Sequence, residues 1–410
     1  MKDLRRVQLL LFFAFIAASQ KLFDPAYNGY LMAFGAATVL TLIYAERPSW
    51  GWVYMNYARA AIIVWLLLTV YITLNHHPTL RDLFRDFGAV LAFAIGRVLL
   101  PKWQGPMPHL RLMNGLSDAG VALSLATLAG AGLAYMAGAS AYHWRGDYVL
   151  MAHGWLPYCL VVNLALAQLH KDQSSKPLRR AALCVLGTFA SLSRTDLLLL
   201  AVFAATMLLL HGRTLLGNRR QRRVLFASIA ITALLMPLFS TLDVVQQRVE
   251  AGVDEDDASL GWRLIENIAL LDQIESEGMQ AAILGFGWGA RTPLPMGVED
   301  FDGNDSIPLL HNSFLTIVLK FGTVGLLLLL VYLVKLFKEW ARRTHTRETA
   351  PFAFAGGWIV VFCLGKAVTL QGLTEWSHLI FFGLACYLLA PASYIISLVR
   401  TPVALTRGLR

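Results

Sequence analysis

Long apolar runs separated by short polar segments dominate this chain. They fall at about 7–22, 27–45, 59–75, 87–100, 116–138, 148–169, 180–193, 196–211, 224–241, 312–336, 352–372 and 376–398. Crossing about 30 Å of hydrocarbon takes roughly 20 residues of α-helix, and lipid tolerates few other spanning structures. The pattern therefore predicts an all-α, polytopic membrane protein with about twelve transmembrane helices. The runs at 87–100 and 180–193 are short for a span. One connection, 242–310, is far longer than the others, so the chain divides into transmembrane helices 1–9 (1–241), a loop domain (242–310) and transmembrane helices 10–12 (311–410). Loops of that length are usually functional or disordered.

Composition agrees: 57% of the residues are hydrophobic and 15% charged, with a mean hydropathy of +0.56. Lys2, Arg5 and Arg6 precede the first apolar run, but so many similar runs follow that it reads as an uncleaved span, not a leader peptide. The formal charge of +9 is a topology signal. Most of the 35 basic residues fall in alternate connections, at 1–6, 46–59, 101–111, 170–180, 211–223, 335–347 and 400–410. Basic loops stay inside, so both termini are expected in the cytoplasm and 242–310 on the outer side. No nucleic-acid partner is expected. Cys159, Cys184, Cys363 and Cys386 sit inside apolar runs without metal-ligand spacing, and read as small core hydrophobes.

The outer loop has a pattern of its own. Ser259 can cap a helix running to about Ile274, with Leu260, Leu264, Ile268 and Leu271 at helical spacing and Ile265 beside them; Glu266, Asn267 and Asp272 fall on the other face. Such a helix suits the bilayer surface or the tops of the spans. A shorter helix at Val244 to Glu250 precedes it. Gly285-Phe-Gly-Trp-Gly289 follows, then a Pro- and Gly-rich segment to Pro308.

His311 opens the run His-Asn-Ser-Phe-Leu-Thr-Ile-Val-Leu-Lys-Phe-Gly322, where the loop enters the tenth span. A neutral imidazole there can take a proton from an attacking hydroxyl; the plainer alternative is an interfacial helix cap. Arg194, in Ser-Leu-Ser-Arg-Thr-Asp196, faces the same outer side against the basic bias, and pairing with Asp196 or anchoring to headgroups is its bland role. Arg263 falls in the first turn of the amphipathic helix, where the dipole disfavours a cation unless an anion is near. Arg291 is a third outer arginine, added on sidedness alone; for both, a solvated charge is the alternative. The amides around Gly285, Gly287 and Gly289 can approach a phosphate, or simply make a tight turn. Lys320 and Lys366 lie within apolar runs. Lys320 is on the helix face opposite His311, while Lys366, near the outer end of the eleventh span, can reach an anion or snorkel. The acidic stretches Asp254–Asp257 and Asp300–Asp305 lack a calcium-loop pattern and read as solvated loops.

Together Arg194, Arg263, the Gly-Phe-Gly-Trp-Gly segment and the His-Asn-Ser-Phe-Leu…Gly run resemble the bacterial O-antigen ligase family, over about 180 to 340. The resemblance implies a GT-C-like fold in the Gram-negative inner membrane, with the active site on the periplasmic side. It implies transfer of a glycan from an undecaprenyl pyrophosphate donor to lipid A-core, without metal or other cofactor, among membrane lipids. His311 would be the general base, Arg194 and Arg263 the essential arginines. Arg291, Asn312, Gly285, Gly287, Gly289 and Lys366 are substrate-binding candidates. O-antigen polymerases and protein O-oligosaccharyltransferases share these motifs. The absence of a large domain after the last span leans against the protein-modifying relatives. A lipid-linked oligosaccharide flippase is the more distant alternative; no internal repeat supports it.

Overall fold

The computed structural model describes residues 68–74, 78–80, 82–83, 85–86, 108–140, 144, 148–149, 154–169, 175–217, 258–298, 304–344, 350–369, 372–374 and 376–389. The expected spans at 7–22, 27–45, 87–100 and 224–241 lie outside these residues. So do the short helix at 244–250, the acidic stretch 254–257 and both termini. Contacts divide the chain into two units, Met1–Leu40 with His109–Asp257, and Thr41–Pro108 with Ala258–Arg410.

The first unit contains α1 (Pro108–Met136), α2 (Leu156–Leu169), α3 (Ser175–Ala190) and α4 (Arg194–Gly217). Small residues let these helices approach closely, as membrane helices do. A Cβ at Gly120 of α1 would lie 2.6 Å from Cys159 Cβ of α2, and one at Gly187 of α3 would lie 3.1 Å from Ser124 Cα. Polar groups between the helices bond one another. Ser117 donates to Asn163 (2.6 Å) and accepts from Arg180 (2.7 Å), which also pairs with Asp118 at 2.6 Å. α2 carries Pro157 in its first turn, where its missing N–H leaves no bond unmade.

Between α3 and α4 the chain reverses over three residues. Leu192 takes a left-handed conformation (φ 53°), Ser191 Oγ donates to the Thr188 carbonyl, and Ser193 Oγ accepts from the Asp196 amide at 3.4 Å. Ser193 thus caps α4, and Arg194 is its first residue.

The second unit contains α5 (Ala258–Glu277), α6 (Met279–Leu284), β1 (Thr292–Pro293), β2 (Ser306–Ile307), α7 (Ser313–Thr344), α8 (Ala350–Thr369) and α9 (Trp376–Leu388). The antiparallel pair Thr292↔Ile307 and Pro293↔Ser306 lies in the Pro- and Gly-rich segment and is the strand pairing among the described residues. Leu270, Ala281, Phe286, Ile307, Leu310 and Leu319 form one buried cluster joining α5, α6, β2 and the start of α7.

α7 is broken at Gly322, whose φ of 65° and ψ of −173° leave the helical region. The break separates a short helix, beginning at Ser313, from the long apolar span beyond. Among the described residues, Leu112–Met136, Ser313–Thr344 and Ala350–Val368 are long and apolar enough to cross a membrane. They coincide with the fifth, tenth and eleventh apolar runs. Leu327, Leu330, Val331 and Val334 of α7 are exposed, an apolar flank that water does not favour and lipid does. The protein is a largely helical membrane protein.

Candidate active site

α7 starts where it does because side chains satisfy its orphan amides. Asn312 Oδ1 accepts from the amides of Phe314 (3.0 Å) and Leu315 (3.4 Å), so Asn312 is the N-cap. Thr316 Oγ1 accepts from the Leu310 amide at 2.9 Å and ties the approaching strand to the first turn. His311 is held between these two anchors, one residue before the cap.

The imidazole meets a carboxylate from α5. His311 Nδ1 is 2.7 Å from Glu266 Oε1, and the His311 backbone amide donates to Glu266 Oε2 at 2.8 Å. Glu266 is 2% exposed, whereas the His311 side chain is 33% exposed. A buried carboxylate therefore spends both oxygens on one residue, whose ring keeps an open edge.

Through this contact α5 meets the protein on the side away from its leucine stripe. Leu264, Ile268 and Leu271 are 59%, 45% and 58% exposed, while Glu266, Ala269 and Leu270 are buried. The polar face carries the site. Arg263 lies on it one turn before Glu266, a spacing at which helical side chains are neighbours. α5 begins at Ala258, one residue before Ser259, so Arg263 is its sixth residue and past the first turn, where a dipole acts most strongly. A stronger sign replaces the dipole argument: Arg263 Nε is buried without a hydrogen-bond partner among the described residues. Such an atom is costly unless water or a ligand meets it.

The glycine segment has a different task from the one its composition suggested. The break at Gly322 frees carbonyls at the end of the short helix, and the segment caps them: the Phe286 amide donates to Leu319 (2.8 Å) and the Gly287 amide to Lys320 (3.0 Å). Gly285 N–H goes to the Ala281 carbonyl, Trp288 N–H to Thr73 Oγ1 at 2.6 Å, and Gly289 N–H to Asp86 Oδ2 at 2.7 Å. All five amides are thus committed to protein acceptors, and none is left for a phosphate. Gly287 sits at φ 84°, and a Cβ there would lie 2.6 Å from Thr73 Oγ1. Trp288 stacks edge-on against Phe321, centroids 4.8 Å apart, and its indole N–H donates to Thr69.

Charges lock the same place. Lys320 Nζ is 2.8 Å from Asp86 Oδ2, with both side chains about 95% buried, and it also donates to the Ala290 carbonyl. Arg291, a candidate for substrate, reaches Asp82 (3.2 Å) and the Ser306 carbonyl (2.6 Å). Asp82 also pairs with Arg85 at 2.6 Å. Burial pushes the Asp82 carboxyl up, but the Thr79 hydroxyl and the Arg85 and Arg291 guanidiniums outweigh it and hold it below the usual carboxylate range.

Lys366, in the last turn of α8, is 1% exposed. A Cβ at Gly372 would lie 2.7 Å from its Cβ, and the next residue, Leu373, donates its amide to Ser313 Oγ at 3.0 Å. Lys366 therefore packs under the turn that touches the start of α7. Arg194 belongs to the other unit, where it opens α4.

The second unit thus gathers His311, Glu266 and Arg263, with Arg291 and Lys320 consumed in bracing. Residues 181–330 match the family model described as O-antigen ligase. This stretch of the chain is similar to an O-antigen ligase domain. It runs from α3 into the span after Gly322, and encloses Arg194, Arg263, the glycine segment and His311. None of the curated proteins searched matches the chain. Sequence reasoning missed Glu266, which contacts His311, and Asp82 and Asp86, which brace the glycine segment and Arg291. The signal for the last two was the repeated Arg-Asp pair in Arg81-Asp-Leu-Phe-Arg-Asp86, two acids four apart each preceded by an arginine.

Proposed function

We propose that this O-antigen ligase domain transfers a glycan from undecaprenyl pyrophosphate to a sugar hydroxyl of lipid A-core. The site lies on the periplasmic side of the Gram-negative inner membrane, with both termini in the cytoplasm. The observation that carries this reading is the His311–Glu266 contact one helical turn from an arginine whose Nε has no described partner.

The chemistry follows from those groups. The acceptor oxygen attacks the anomeric carbon as its proton passes to the His311 imidazole. The bond from that carbon to the pyrophosphate oxygen breaks on the opposite face, so the anomeric centre inverts. Negative charge builds on the departing pyrophosphate, and guanidinium groups can absorb it by paired charge-assisted hydrogen bonds. Arg263 takes that role in the second unit, Arg194 is assigned to it by the resemblance alone, and no divalent ion is required. General-base help from one imidazole is worth about 10²–10⁴-fold.

The test mixes purified protein, polyprenyl-linked glycan and lipid A-core, and asks which molecule gains mass. A ligase adds glycan to lipid A-core; a lengthened donor would instead mark a polymerase, and no change in either a flippase. His311→Ala is expected to fold and insert but to transfer nothing. Full transfer by that variant would remove His311 from the mechanism.

A further inference from the structure

Glu266 fixes more than the position of the imidazole. A carboxylate can only accept, so the ring nitrogen facing it must carry a proton. Nδ1 is that nitrogen, 2.7 Å away. The second carboxylate oxygen is taken by the His311 backbone amide at 2.8 Å, which prevents the carboxylate from rotating away. Because Glu266 is 2% exposed, water does not compete for either oxygen.

We infer that Glu266 is a positioning residue that holds neutral His311 in the Nδ1–H tautomer, leaving the Nε2 lone pair to receive the acceptor's proton. The inference rests on the proposed glycosyl transfer for its functional meaning, although the tautomer itself does not. When the proton arrives at Nε2 the ring becomes an imidazolium, with its Nδ1–H already directed at a buried negative charge. The same carboxylate that selects the tautomer then stabilises the cation.

Glu266→Gln tests this with almost no change in shape. The His311 backbone amide can only donate, so the glutamine must turn its carbonyl oxygen toward that amide. Its –NH₂ group then faces Nδ1, which has to become an acceptor. The ring proton moves to Nε2, where the lone pair was needed. Transfer is measured with the full-length protein in lipid nanodiscs, alongside ¹⁵N imidazole spectra at mildly alkaline pH, with His311 assigned by its loss in His311→Gln. The expected result is a fall in kcat of about 10²-fold or more with donor KM little changed. The His311 signals should also switch from protonated Nδ1 to protonated Nε2.

Wild-type kcat in Glu266→Gln, or a retained Nδ1–H signal, overturns the inference. Glu266→Asp keeps two acceptor oxygens on a shorter stem and carries the test should the amide variant not fold. It is expected to keep the Nδ1–H signal, and an Nε2–H signal there overturns the inference equally. The two failures are separable. Normal transfer by His311→Ala defeats the general-base reading, whereas an inactive His311→Ala beside a fully active Glu266→Gln defeats the role of Glu266 alone.

Discussion

Gly285 and Gly322 meet backbone against backbone. A Cβ on Gly285 would lie 2.5 Å from the Gly322 nitrogen, and a Cβ on Gly322 would strike the Ile283 carbonyl. Both residues have positive φ with ψ near 180°, a region essentially reserved for glycine. Gly285→Ala and Gly322→Ala are therefore expected to destabilise the protein by at least about 1–3 kcal/mol from strain alone. They are also expected to lose transfer, because the break in α7 is what separates the His311 turn from the span. Thermal unfolding in detergent checks the first, and glycan transfer the second. An alanine variant as stable and active as wild type would show that the break is not required.

The Lys320–Asp86 pair should be asymmetric under mutation. Removing Lys320 leaves buried Asp86 with only the longer Arg85 contact (3.4 Å) and the Gly289 amide, at a cost of up to about 3–5 kcal/mol. Lys320→Met alone is expected to show that loss in unfolding experiments. The double variant Lys320→Met with Asp86→Asn is expected to recover a large part of it, since it leaves no bare charge. If the double variant is worse than the sum of the singles, the pair does not act through charge compensation.

Arg263 should matter for its forked guanidinium. Arg263→Ala is expected to reduce transfer by about 10²-fold or more, and Arg263→Lys to recover only part, because an ammonium cannot make two parallel bonds to a phosphate. Neither change should lower thermal stability much, since the guanidinium makes none of the described ion pairs. Transfer is also expected to continue in EDTA. A strict requirement for a divalent cation would move the charge-absorbing role away from the arginines.

Asp82 makes stability depend on acid in a stated direction. Its carboxyl titrates below the unfolded value, so its contribution is complete above about pH 4 and is lost as pH falls through the folded pKa. Wild type is expected to be more stable than Asp82→Asn at neutral pH, with the gap narrowing under strongly acid conditions. A gap of equal size at both pH values would contradict this account.

The spans at 116–138, 312–336 and 352–372 were legible because lipid demands unbroken apolar stretches. The α5 helix was legible too, from Leu264, Ile268 and Leu271, but not the side it presents to the protein. Periodicity tells which side of a helix avoids water. In a membrane protein that side can face lipid while the polar side packs inward. Glu266 was overlooked for the same reason: a carboxylate opposite a leucine stripe reads as solvated, and its partner is 45 residues away. The glycine segment misled in a related way. Its amides looked ready for a phosphate, because the carbonyls of Leu319 and Lys320 that claim them are freed only by a break on another helix. His311 and Arg263 were readable as candidates by residue type and place, but the contact joining their elements was not. The bracing arginine Arg291 could be distinguished from Arg263 only by finding Asp82 beside it.

α5 keeps oil and charge on opposite flanks. Leu264, Ile268 and Leu271 point one way and Glu266 the opposite way, with Arg263 on the flank between them, around a cylinder about 10–12 Å wide. A polyprenyl pyrophosphate is built on the same plan, with a greasy tail at one end and a doubly charged head at the other. On the proposed function, this one helix would act as a spacer, setting how high above the lipid tails the sugar changes hands.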